Sequence, residues 1–168
     1  VYYREEKMSY NIIKHMKTLE LDKVLARVSE FAVCNDAGDL IKNIIPKTSF
    51  LSAKAELERT DEAYRLTAMN SAPPFSNCKN IAGALQRANV GSVLTPTELL
   101  NIASVLKTVR EVKKWYDNSE LKPENSVLKE SFDQLYPNKY LEEKITFTVI
   151  SEEEISDNAS AALSNIRR

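Results

Sequence analysis

A mainly helical protein is predicted by three features of this sequence. Apolar residues recur at spacings of three and four over most of the 168 positions, as in Leu21, Val24, Leu25, Val28 and Phe31. Gly occurs three times and Pro six times, too sparsely for a barrel or sandwich that depends on tight turns. Only one stretch, "KITFTVIS" at 144–151, reads as a strand, because it is β-branched and aromatic. The expectation is a multi-helix domain with one small β-hairpin.

The elements follow in order. Residues 1–16 read as a poorly anchored leader, with Met8 or Met16 as alternative native starts. The helical core is expected over 17–143. It begins with a helix from Thr18 to about Phe31, then a second over about 35–44 that ends before Pro46. A third runs from Ser49 or Ser52 to Ala68, with Leu57 and Tyr64 on different faces from a polar stripe of Glu58, Glu62 and Arg65. "SAPPFSN" at 71–77 interrupts the pattern, since Pro73 and Pro74 hold the backbone extended. A shorter helix over about 79–89 stops at Gly91.

"TPTE" at 95–98 is the sharpest local signal. Thr95 is placed as N-cap, Pro96 as the first helical residue and Glu98 as the partner that closes a capping box. The helix it opens carries Leu99, Leu100, Ile102, Ala103, Leu106, Val109 and Val112, and is expected to reach about Tyr116. A polar loop with Pro123 leads to short helices near 126–135 and 138–144. The hairpin then occupies 144–157, with Ile155 on its second strand. Asp157 or Ser160 caps a final helix in 158–168 that carries no C-terminal stop signal.

Composition and motifs exclude several chemistries. The hydrophobic fraction of 43% and charged fraction of 28% are those of a folded globular chain, and the net charge of −1 sets up no global field for a polyanion. No run approaches the ~20 apolar residues of a membrane span, and the charged N-terminus is unlike a signal peptide, so a cytoplasmic protein is expected. Cys34 and Cys78 stand far apart without a C-x-x-C pair and read as small, reduced core residues. Gly38, Gly83 and Gly91 lack the spacing of a phosphate-binding P-loop and none precedes a Lys. His15 is the sole histidine, and no nucleophile–base constellation forms around it. Glu152, Glu153, Glu154 and Asp157 are the nearest approach to a hard-cation site, but neighbours along a strand point to alternate faces and read better as a solvated turn. No catalytic, cofactor-binding or metal-binding residue is assigned.

One candidate interface remains. Lys107, Arg110 and Lys114 recur at i, i+3 and i+7 with Lys113 beside them, a basic stripe suited to following a nucleic-acid backbone. Trp115 offers a stacking surface nearby. The competing reading is the ordinary wet face of an amphipathic helix.

Several stretches in collinear order resemble the N-terminal region of the second type of bacterial MutS homologue, MutS-II. They begin with "TLELDKVLARVSEFA" at 18–32, then Gly38 and Pro46, "RTDEA" at 59–63, and the Pro73-Pro74-Phe75 loop. Arg87, Ala88, Gly91, Leu94, Glu98, Leu99 and Leu100 follow, and Asp157, Ala159, Ser160, Leu163, Ile166 and Arg167 complete the set. Arg59 stands where the family usually has Glu, and Ser76-Asn77 where it has glycines. The resemblance implies a MutS-like core and connector whose hairpin feeds a lever helix, here cut near its start. It further implies a dimeric parent ATPase, using ATP and Mg, that carries a nuclease domain, binds branched or mismatched DNA and suppresses recombination. A second role it implies is rescue of collided ribosomes. The alternative from another class is a free-standing helical adaptor for a protein partner; an enzyme working through carboxylates alone has no residue pattern in its favour.

Overall fold

The computed structural model describes residues 12–75, 78–119 and 126–167. They are mainly helical, and no strand occurs among them. The chain divides into two compact units, Val1–Thr60 and Asp61–Arg168. The division falls within the 17–143 span that reads from sequence as a single helical core.

The first unit contains α1, described over residues 12–18, α2 (Leu21–Ser29), α3 (Asn35–Lys42) and the first half of α4 (Phe50–Asn70). The expected leader is thus helical from residue 12, and its earlier positions lie outside the described residues. Helices α2 and α3 pack together, with Leu25 of α2 buried at 8% exposure and Gly38 buried on α3. Glu20 precedes α2 in the left-handed region, at φ 56°, and its side chain turns to Lys23 rather than to the helix amides.

The second unit is organised by α6 (Pro96–Asp117). Ile102 and Ala103 of α6 meet Ile145 of α8 (Lys139–Thr148), and Ile81, Ala84, Leu94, Leu99 and Leu106 close around them. Val112 and Tyr116, four residues apart and so on one side of the helix, are buried further along α6. The capping box forms as its residues predict: Glu98 N–H donates to Thr95 Oγ1 at 3.3 Å, and Thr95 N–H donates to Glu98 Oε2 at 2.9 Å. Before it, α5 (Ala82–Asn89) ends at Gly91, whose φ of +80° suits a residue without Cβ. Helix α7 (Lys129–Asp133) lies against α6 and stacks the Phe132 ring on Tyr116, 4.0 Å between centroids.

The β-hairpin of 144–157 is corrected by this structure. Residues 144–148 continue α8, which Asn138 caps by accepting from Leu141 N–H at 3.0 Å. Burial against α6 decides the matter, because Glu142 and Ile145 share one helical side although Ile, Thr and Val favour strands. Thr146 and Thr148 adapt by donating their hydroxyls to the Glu142 and Lys144 carbonyls. What survives of the hairpin is a chain reversal with one antiparallel bridge, Val149 to Ile155. Ser156 N–H donates to the Thr148 carbonyl at 2.8 Å across it. Ser160, not Asp157, then caps α9 (Ala161–Ile166).

Candidate nucleic-acid interface

The four cations proposed from sequence do share the C-terminal half of α6, but they do not share one environment. Lys107 and Lys114 are exposed; Lys107 lies 4.0 Å from Glu111, one turn along the helix. Arg110 instead forms a two-pronged pair with Glu142 on α8, Nε to Oε2 at 2.9 Å and Nη2 to Oε1 at 2.8 Å. The Glu142 side chain is nearly buried, so the guanidinium is what satisfies it. Hydrogen bonding to Arg110 is the main cause holding the Glu142 carboxyl below the usual carboxylate range, and desolvation opposes it. The same bond raises the Arg110 value.

Lys113 is likewise turned inward on the helix bundle. Its Nζ lies 2.8 Å from Asp133 of α7 and 3.5 Å from Asp117. The bond to Asp133 is the first cause raising its pKa above the ordinary lysine value. Arg110 and Lys113 therefore hold α8 and α7 on α6, while Lys107 and Lys114 are the cations left facing solvent. Trp115 is also engaged: its indole N–H donates to the Asn70 carbonyl at 3.2 Å and its ring lies against Phe132.

A buried carboxylate escaped sequence reasoning. Glu62 belongs to the polar stripe of α4 by spacing, yet only 8% of it is exposed. It accepts from the Ser126 hydroxyl and from Val127 N–H at 2.9 Å, and Ser126 also bonds the Tyr116 hydroxyl at 2.6 Å. This network ties the segment entering α7 to α4. Its only sequence signal was membership of the "RTDEA" element.

Other residues of the collinear set also hold the chain's own architecture. Arg87 pairs with Glu98, the capping-box carboxylate, and so joins α5 to the start of α6. Arg167 pairs with Asp157 and donates to the Ile155 carbonyl at 3.2 Å, which links α9 to the chain reversal before it. Ser76 and Asn77 lie outside the described residues.

His15 is exposed on α1, Cys34 and Cys78 are half-buried, and Glu152–Glu154 are exposed on the reversal. Among the described residues no three His, Cys, Asp or Glu side chains come together as a metal site. No helix among them is long and apolar enough to cross a membrane.

Comparison with known proteins finds relatives over most of the chain. Over 156 residues, 92% of the chain, it is 36% identical to Endonuclease MutS2 of Ruminiclostridium cellulolyticum and 33% identical to that of Acetivibrio thermocellus. Over 155 residues it is 34% identical to Endonuclease MutS2 of Clostridium novyi. The chain is MutS2-like. It spans 20% of the length of these MutS2 relatives, so the similarity concerns one stretch of a much longer protein. No family model matches the chain.

Proposed function

We propose that this chain is a non-catalytic helical segment of a MutS2-like endonuclease, acting as a core and connector rather than as the site of chemistry. The observation that carries this reading is the match of 92% of the chain to one fifth of the MutS2 length. In support, Glu62, Arg87, Glu98, Asp157 and Arg167, charged residues of the collinear set, are engaged in capping and cross-linking helices. The parent would be a homodimer in the cytoplasm that binds branched or mismatched DNA and suppresses recombination.

ATP and Mg belong to that parent reading, and the residues present here do not fit them. The glycines lack P-loop spacing, and the carboxylates of the described residues do not converge. Nucleotide chemistry would therefore sit elsewhere in the polypeptide.

The deciding experiment reads the source gene beyond the Arg168 codon and assays the purified chain for ATP turnover and nuclease activity. A downstream P-loop with an inactive chain is the expected result. A stop codon directly after Arg168 would favour a free-standing adaptor, and turnover that survives repurification would refute the non-catalytic assignment. For the parent, co-sedimentation with ribosomes but no affinity for branched DNA would move the reading to ribosome rescue.

Direct nucleic-acid contact by this segment would rest on Lys107 and Lys114, the exposed members of the stripe. Two phosphate contacts give a log–log salt slope for duplex DNA of about −1.8, from about −0.9 per contact. Charge reversal at Lys107 and Lys114 should abolish that binding while leaving the circular dichroism unchanged. Binding that survives both reversals would clear the stripe of the role.

A further inference from the structure

We draw no further inference here: the strongest candidate, the exposed face of α8 formed by Tyr140, Lys144 and Phe147, is an unpartnered helix side, and nothing in the structure shows what covers it.

Discussion

The unit through Thr60 and the unit from Asp61 are built from the same kind of amphipathic helix, but they bury very different amounts of it. In the first, Leu25 is the one large apolar side chain buried among the described residues, while Val24, Val28, Phe31, Leu40, Phe50 and Leu51 are exposed. In the second, Leu66, Ile102, Ala103, Val112, Tyr116, Ile145 and Val149 are buried, most of them on α6 or against it. The contrast separates two requirements that a helical wheel merges. Periodicity gives a helix an apolar side, whereas burial needs a neighbour on that side, and α6 is central enough to supply several.

The largest test of that contrast is a pair of truncations. Ile102→Ala removes a core side chain with neighbours all round and should cost about 2–5 kcal/mol. Val28→Ala, on the exposed side of α2, should stay within about 0.5 kcal/mol. Denaturant unfolding read by the single Trp115, which lies in the second unit, measures the first; hydrogen exchange across α2 measures the second. Equal losses would mean that α2 has a packing partner in solution.

A second pair lies within α4, on either side of the division between the units. Glu62→Ala leaves the Ser126 hydroxyl and Val127 N–H without their acceptor at a nearly buried site, a loss of about 1–3 kcal/mol. Glu62→Gln keeps one carbonyl acceptor and should recover part of it. Glu58→Ala removes only an exposed partner of Lys54, 3.7 Å away, and should change stability by less than about 1 kcal/mol. Similar thermal unfolding shifts for Glu62→Ala and Glu58→Ala would show that the Glu62 network adds nothing.

These pairs also mark what could be read from sequence. The α6 capping box was legible because Thr95, Pro96 and Glu98 act within one turn, and the Ser160 cap of α9 is equally local. Helix α8 was read as part strand because β-branched residues state a preference that contact with α6 overrides. The stripe on α6 was legible as a set of charges, but its fate was not. Arg110 finds its carboxylate 32 residues away and Lys113 finds one 20 residues away, separations that no local pattern encodes. Glu62 was hidden for the same reason, its partners lying 64 and 65 residues on.

Acid sharpens the comparison further, because Glu142 belongs to the second unit alone. Its carboxyl is lowered in the folded state relative to an ordinary value of about 4.3. The unfolded chain thus takes up the proton first, so the Arg110 pair contributes fully above about pH 4.3 and its contribution fades as pH falls through the lower folded value. Unfolding midpoints between pH 7 and pH 3 should fall less steeply in Glu142→Gln than in the wild type. Lys113 has the opposite sign: its raised value means a contribution present below about pH 10.4 and lost as pH rises through the folded value. Parallel acid profiles for wild type and Glu142→Gln would show that the ion pair does not couple α6 to α8.

The smallest expected effect tests how closely α2 and α3 approach. Gly38 lies inside α3, where Gly costs about 0.5–1 kcal/mol relative to Ala through backbone entropy. A Cβ placed there would meet the Ser29 carbonyl oxygen at 3.6 Å and the Ala32 Cβ at 3.8 Å, both ordinary van der Waals contacts. Gly38→Ala should therefore stabilise the first unit by about 0.5–1 kcal/mol, seen as slower amide exchange over residues 35–42. Gly91 offers the opposite case in the second unit: a Cβ has open space, yet φ is +80°, so Gly91→Ala should destabilise by about 1 kcal/mol through backbone strain. Open space does not make a substitution cheap, nor does a close neighbour make it costly. If Gly38→Ala instead speeds exchange, the two helices approach too closely for a methyl group, and the first unit is more tightly packed than its single buried leucine indicates.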